Sequence, residues 1–209
     1  MADKIYCSHG SAERGAREAY KHEWNPSETA IEIAREFSSR STSRITVCDI
    51  GGAHGRDCLY LAEHGFDTIL IEPNELCLET AMKKLKEIAA RSGRVNFTIK
   101  KGALPHLRLQ DEAADIVELR GVLMHILPEE KPVALREVYR IMRPRGRLYS
   151  SSYGDFGGEL PKKGMYPVKE KDAFVKLHES AGLRLVGDVS QYRPKSNPKG
   201  SMWYARFEK

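Results

Sequence analysis

The stretch Asp49-Ile50-Gly51-Gly52-Ala53-His54-Gly55 sets a carboxylate directly before a run of small residues, and Glu72 follows 23 residues after Asp49. Small residues let a backbone pass close to a ligand, and a helix starting after such a turn offers unpaired N–H groups. A carboxylate at the end of the next strand can accept hydrogen bonds from both hydroxyls of a ribose. Loop and acid together point to a nucleoside ligand. A dinucleotide fits the details poorly. Its fingerprint needs small residues at positions 51, 53 and 56, and Arg56 is bulky where helix and strand must close up. Asp49 would repel a pyrophosphate and attract an ammonium group. The pattern suits a ligand with an amino-acid end and an adenosine end better than it suits NAD.

Other residues of chemical potential are scattered. Of seven histidines, His54 lies in the glycine loop as a lining residue, and His125 can be a structural residue or a catalytic base. His9, His22, His64, His106 and His178 show no paired carboxylate and no metal spacing, so they read as surface or packing residues, and no metal site is expected. Tyr153, Asp155 and Phe156 stand after a strand, where acceptor-facing groups would gather or where a polar surface loop would run. Tyr20 and Trp24, four apart on an expected helix, could close over a ligand or anchor that helix to the core. No Gly-x-Ser-x-Gly signature or nucleophile–base pair occurs, which argues against a hydrolase.

Positioning these groups needs a regular frame, and the chain supplies one from residue 44 onward. Short runs at 45–48, 68–71, 95–99, 115–119 and 147–151 read as strands, and the continuous apolar run at 68–71 is of the kind a strand covered on both faces shows. Helical patterns alternate with them: Gly55 to Glu63 with Leu59, Tyr60 and Ala62 inward, Asn74 to about Ala90, and Glu129 to Met142. Residues 152–168, rich in Gly, Pro and Lys, read as a loop. A helix over Lys169–Ala181 then leads to strands at Leu183–Val189 and Met202–Phe207, too close in sequence for anything but an antiparallel hairpin. The expectation is an α/β fold: a doubly wound, mostly parallel seven-stranded sheet with helices on both faces and an antiparallel last strand. Residues 1–43 read as an N-terminal helical segment, a lid or cap on the same domain, and 44–209 as the Rossmann-like domain.

Composition bounds the rest. The 209 residues carry 41% hydrophobic and 30% charged residues, which fits one domain and excludes a disordered chain. No apolar run is long enough to span a membrane, and the start lacks the apolar core of a secretory signal. Cys7, Cys48, Cys58 and Cys77 fall at no metal spacing and read as reduced thiols, so a cytoplasmic protein is expected. The net charge of +5 is mild, although five arginines fall between Arg136 and Arg147 and five basic residues between Gln191 and Lys209. That spread suits an ordinary solvated surface better than a nucleic-acid footprint.

These residues resemble the class I S-adenosylmethionine-dependent methyltransferases. Residues 49–55 look like the first motif of that family, and Ile71-Glu72-Pro73-Asn74 like the second. The stretches Leu104-Pro105, Asp115-Ile116-Val117 and 121–127 are similar to its fourth-strand region, and Arg143–Leu148 to the turn into its fifth. The resemblance implies S-adenosyl-L-methionine as cofactor and S-adenosyl-L-homocysteine as product. Asp49 would lie near the amino group, with Gly51, Gly52, Ala53 and Gly55 bordering methionine and ribose. Glu72 would hold the ribose hydroxyls, and Pro73 or Asn74 would flank the adenine. Gly102, Ala103 and Leu104 would reach the adenine edge, and Arg120 and Gly121 would face the methionine end. His125 and Tyr153 are the candidates for a catalytic group. The family often has a polar residue where Ala103 stands, so a backbone carbonyl would hold the adenine amino group here. The expected acceptor is a small molecule, with neither nucleic acid nor membrane as partner, and a monomer or homodimer as the assembly. RNA or protein methylation, and a non-catalytic cofactor-binding partner, are the alternatives.

Overall fold

The computed structural model describes residues 24–37, 44–92, 96–155, 164–193 and 200–209, and Tyr20, Phe156, Cys7, His9 and His22 lie outside them. Seven strands form a sheet in the order β3-β2-β1-β4-β5-β7-β6. They are β1 (Thr46–Ile50), β2 (Asp67–Glu72), β3 (Phe97–Lys101), β4 (Ala114–Arg120), β5 (Met142–Asp155), β6 (Arg184–Tyr192) and β7 (Ser201–Glu208). Five helices accompany them among the described residues: α1 (Glu28–Phe37), α2 (Arg56–Glu63), α3 (Glu75–Ser92), α4 (Lys131–Ile141) and α5 (Lys171–Glu179). The strand order turns back on itself after β3. With β4 beside β1, the order reverses there, and the sheet is doubly wound with helices on both faces. Contacts divide the chain into two compact units, 1–103 and 104–209.

In the first unit, β1, β2 and β3 pair in parallel. Val47, Cys48, Leu70 and Ile71 are fully buried, as continuous apolar strands require. Ser27 caps α1, its Oγ accepting the Ala30 N–H at 3.1 Å, while its own N–H donates to Asp57 Oδ1 at 2.7 Å in the first turn of α2. Asn74 caps α3 as the sequence implies, its Oδ1 accepting the N–H groups of Leu76 at 2.9 Å and Cys77 at 3.4 Å. Two expectations need correction here. On α2 the inward face carries Cys58, Leu59, Leu61 and Ala62, while Tyr60 is only half-buried and packs its ring against His64 at 4.1 Å. Trp24 is not helical: it precedes α1, with the Lys84 ammonium 5.3 Å from its ring.

In the second unit β4 and β5 are parallel, and β7 runs antiparallel to both β5 and β6. β7 is therefore the reversed strand. Strand β5 differs from expectation at both ends. It begins at Met142, directly where α4 stops, and runs through Ser152 to Asp155, so the start of the expected loop is strand. Pairing with β7 explains the extension, since Ser152 faces Trp203 and Tyr153 faces Met202 across the ladder. Ser150, Ser151 and Ser152 are all buried, small polar side chains that let the core close over the strand.

His178 belongs to that core. It is fully buried on α5, its Nδ1 lies 2.7 Å from the Phe174 carbonyl, and its Nε2 lies 2.9 Å from Ser150 Oγ. Its ring stacks on Phe207 with centroids 4.2 Å apart. The carbonyl contact makes Nδ1 the donor, so Nε2 accepts from the serine hydroxyl and the imidazole is neutral. Burial pushes its pKa down to about 4.

Candidate active site

The glycine turn leaves β1 at its carboxyl end. Gly51 adopts φ 70°, Ala53 φ 50° and Gly55 φ 72°, so the turn winds through the left-handed region three times. The Gly51 N–H donates to the Ile71 carbonyl at 2.7 Å, which anchors the start of the turn to β2. A side chain at Gly52 would place its Cβ 2.2 Å from Asp49 Oδ2 and 2.6 Å from Leu70 Cδ1. At Gly55 a Cβ would fall 2.9 Å from Leu70 Cδ2 and 3.3 Å from the Ala81 methyl. Gly55 thus lets α2 begin against β2 and α3, and Gly52 lets the turn fold over the Asp49 carboxylate. Asp49 is buried, with the Cys58 thiol 4.0 Å from its Oδ2.

Glu72 closes β2 and is 7% exposed. Its Oε2 accepts the Ala53 N–H at 3.0 Å, and its Oε1 accepts the Asn74 N–H at 3.0 Å. One carboxylate therefore ties the glycine turn to the start of α3. Burial pushes the Glu72 carboxyl up, while the two N–H groups pull it back toward the ionised form. Gly102 follows β3 on the same unit, its N–H donating to the Glu72 carbonyl at 3.3 Å. The structure thus brings Asp49, Gly51, Gly52, Ala53, Gly55, Glu72, Pro73, Asn74 and Gly102 to the carboxyl ends of three neighbouring parallel strands, and Ala103 ends this unit. His54 lies within the same turn with Nε2 3.8 Å from Cys77 Sγ, a contact between loop and helix that sequence spacing did not reveal. Its partial burial lowers its pKa.

Leu104, Arg120, Gly121, His125 and Tyr153 belong to the second unit. Arg120 ends β4, and Gly121 adopts φ 66° and donates its N–H to the Ser151 carbonyl at 2.9 Å. His125 ends a short 3-10 turn over Leu123–His125. The residue is exposed as a whole, yet burial of part of its ring lowers its pKa. Tyr153 is half-buried, and its carbonyl accepts the Val168 N–H at 3.0 Å. The same short segment is held from three further sides. The Tyr166 N–H reaches the Met124 carbonyl at 2.6 Å, Lys131 Nζ reaches the Tyr166 carbonyl at 2.5 Å, and the Trp203 indole N–H reaches the Val168 carbonyl at 2.9 Å. Lys131 is buried there, and desolvation lowers its pKa. Neither Lys131 nor Trp203 stood out in the sequence, since their partners lie 35 residues away.

Among the described residues no group of His, Cys, Asp and Glu is placed to hold a metal, and no helix is long and apolar enough to cross a membrane. Cys48, Cys58 and Cys77 are free thiols.

A methyltransferase-domain family model matches residues 48–150. The chain is similar to an arsenite methyltransferase of Aquipseudomonas alcaligenes, 31% identical over an alignment of 116 residues, with 52% of this chain and 33% of that one covered. It therefore spans about a third of the length of that relative. Its fold is similar to that of an S-adenosylmethionine-dependent methyltransferase from Methanosarcina mazei, with a TM-score of 0.66, 19% identity, and 85% and 96% of the two chains covered. It is similar also to a 1,6-didemethyltoxoflavin-N1-methyltransferase from Burkholderia thailandensis with bound 1,6-didemethyltoxoflavin and S-adenosylhomocysteine. There the TM-score is 0.65 at 17% identity, covering 100% of this chain and 93% of the other. Because the matched region opens one residue before Asp49 and closes inside β5, it takes in both the glycine turn and the Glu72 strand end, and residues 48–150 of the chain carry a methyltransferase domain.

Proposed function

We propose that this chain transfers a methyl group from S-adenosylmethionine to a small-molecule acceptor. The observation that carries the reading is Glu72, held at the end of β2 by one backbone N–H on each oxygen. A carboxylate has about four acceptor positions, so each oxygen keeps capacity for a ribose hydroxyl. Asp49 supplies a buried carboxylate for an ammonium group, and Gly51, Gly52, Ala53 and Gly55 let the backbone approach the methionine and ribose portions. Pro73 and Asn74 flank the adenine, with Gly102, Ala103 and Leu104 at its edge, while Arg120 and Gly121 serve the methionine end. These donors fit the cofactor. The bound cofactor supplies an electrophilic sulfonium methyl group, and the protein's part is to orient the acceptor in line with it and exclude water. His125 and Tyr153 are the groups proposed to take up a proton or to position an acceptor that needs one removed.

A small acceptor is favoured by the absence of a helical insertion in the 102–113 connection between β3 and β4, which leaves little bulk for gripping a macromolecule. The arsenite and toxoflavin methyltransferases to which the chain is similar are named for small acceptors. Titration calorimetry tests the cofactor half. Glu72→Ala should weaken S-adenosylmethionine binding by about 1–3 kcal/mol, through loss of charge-assisted hydrogen bonds. Unchanged affinity in a folded variant, or tight NAD binding by the native chain, would overturn it. Radiolabelled cofactor incubated with fractionated metabolites and with RNA tests the acceptor half, and label in the RNA fraction would count against a small molecule.

A further inference from the structure

Strand β3 stands at one end of the sheet order, and among the described residues only β2 pairs with it. The Thr68 N–H donates to the Asn96 carbonyl at 3.0 Å, and the Gly102 N–H to the Glu72 carbonyl at 3.3 Å. Backbone groups alternate sides along a strand, so those of the even-numbered residues turn to β2 and those of Phe97, Ile99 and Lys101 turn outward. Such an edge is a template for another strand unless charge or cover blunts it. Here the charge is diverted. Lys101 Nζ reaches Glu75 Oε1 at 2.5 Å, and Lys100 projects to the face opposite Phe97 and Ile99, which pack against the cluster of Cys58, Leu70 and Ala81.

Beside that edge, within the first unit, lies a groove of about 450 Å³ lined by Leu78, Glu79, Met82, Lys83, Lys86 and Ile99. Its helical lining runs from 78 to 86 and centres on Met82, which is 40% exposed. Its strand lining is Ile99, the middle residue of β3. Glu79 and Lys86 stand seven residues apart, which is about two turns, so they share one face of α3 with Met82 and Lys83 between them. No ion pair among the described residues engages Glu79, Lys83 or Lys86, whereas Lys84 is held by Glu87 at 2.7 Å. An extended acidic partner would suit the lysines and meet Glu79 in its path. A second copy of the chain suits all of them, because a twofold interface needs one patch that carries both members of each contact.

We propose that β3 and α3 form the interface of a homodimer in which two copies join edge to edge as one continuous sheet. A twofold axis perpendicular to the sheet at Ile99 sets β3 antiparallel to β3 of the second copy. Ile99 then faces Ile99 of the second copy, and Phe97 faces Lys101 of the second copy, each such pair exchanging two N–H···O bonds. The axis keeps both helices on one face of the joined sheet and passes between Met82 and Lys83, at the middle of the groove's helical lining. Antiparallel α3 helices therefore put Glu79 opposite Lys86 of the second copy, and by symmetry Lys86 opposite Glu79 of the second copy, with the two Met82 side chains between these contacts. The inference does not depend on the methyl-transfer reading.

Analytical ultracentrifugation of the full chain over a concentration series tests the dimer, with Glu79→Lys and Lys86→Glu as variants. Glu79→Lys alone sets lysine against lysine at both contacts, and Lys86→Glu alone sets glutamate against glutamate. Each should therefore raise the dimer Kd at least about tenfold. Mixed in equal amounts, the two variants restore opposite charges at both contacts, and their heterodimer should dissociate within about threefold of the native Kd. Mixing cannot repair a folding defect, so the rescue separates a lost contact from a lost fold. Hydrogen exchange at the Phe97, Ile99 and Lys101 amides should slow as the native chain is concentrated and stay fast in either variant alone. A native chain that stays monomeric throughout, leaving the groove to a different kind of partner, overturns the proposal. A dimer indifferent to the single variants, or variants that mixing does not rescue, overturns it equally. Exchange at those three amides that ignores concentration overturns the joined sheet.

Discussion

Gly52 offers a way to move one charge in the candidate site by a known amount. An alanine there would put its Cβ 2.2 Å from Asp49 Oδ2, and contacts between real Cβ atoms and their neighbours essentially never fall below 3.0 Å, so the carboxylate must retreat by about 0.8 Å. Retreat is resisted, because Asp49 is 5% exposed and Leu70 Cδ1 stands 2.6 Å from the same new methyl. The overpacking should cost about 1–3 kcal/mol of stability, read as a lower midpoint in denaturant. The effect on the cofactor follows from Coulomb's law. With an ammonium about 3 Å from the carboxylate and an effective dielectric of about 20, moving the pair to about 3.8 Å removes about 1.2 kcal/mol, or about sevenfold in Kd. Calorimetric titration of Gly52→Ala with S-adenosylmethionine measures that loss. Titration with 5′-methylthioadenosine, which has the nucleoside but no amino-acid end, supplies the control and should change by less than about twofold. Equal losses for both ligands would show that the substitution deforms the whole turn. No loss for either, in a variant that is measurably destabilised, would refute the placement of the ammonium group at Asp49.

Further outcomes follow from other parts of the molecule. His178 is held neutral by burial, with its pKa at about 4 against an ordinary value of 6.5, so the unfolded chain binds the extra proton first as pH falls. Its contribution is complete above pH 6.5 and is lost progressively as pH falls toward 4. The total is about 3 kcal/mol, and urea titrations at several pH values should show that slope in the native chain and a shallower one in His178→Gln. Changing Tyr153 and Phe156 together to alanine should cut turnover roughly 100-fold and leave S-adenosylmethionine affinity within about 0.5 kcal/mol; loss of affinity instead would assign the segment to the cofactor. Cys48 is fully buried, and desolvation pushes its thiol far above the usual range, so a thiol-directed reagent should leave it unlabelled until the chain is denatured.

The features legible in the sequence were those whose causes are local. Asp49 and the small residues after it announce a tight turn by composition alone, and Asn74 caps α3 because its side chain needs only the backbone two and three residues ahead. What the sequence concealed depends on distant partners. Pro144-Arg145-Gly146 reads as a plain breaker. The structure carries β5 through it, with Arg145 at φ 64° donating its N–H to the Lys209 carbonyl and Gly146 accepting the Lys209 N–H. Ser152 looks like loop until β7 pairs beside it, and His178 reads as a surface or packing residue alike until Ser150, 28 residues away, supplies its partner and decides for packing. The Asp155–Ser201 hydrogen bond closes over 46 residues and leaves no periodic trace. On α2 the helical period was right and its phase was wrong: Tyr60 is amphipathic enough to pass for a core residue, and the smaller Cys58 and Leu61 took the inward face.

The place of β7 between β5 and β6 also dictates an order of assembly. Strand β6 is made before β7 yet has no neighbour in the sheet except β7, so it cannot dock as it emerges during synthesis. Until residues 201–208 exist, the long β5 presents an open row of backbone donors and acceptors, the kind of edge that recruits strands from other chains. The second unit therefore stays unfinished until almost all of its length has been made, and the β6–β7 hairpin closes it in one late, long-range step. A chaperone that shields β5 during that interval should raise the yield of folded protein more than one that acts on the first unit, whose three parallel strands are complete by residue 101.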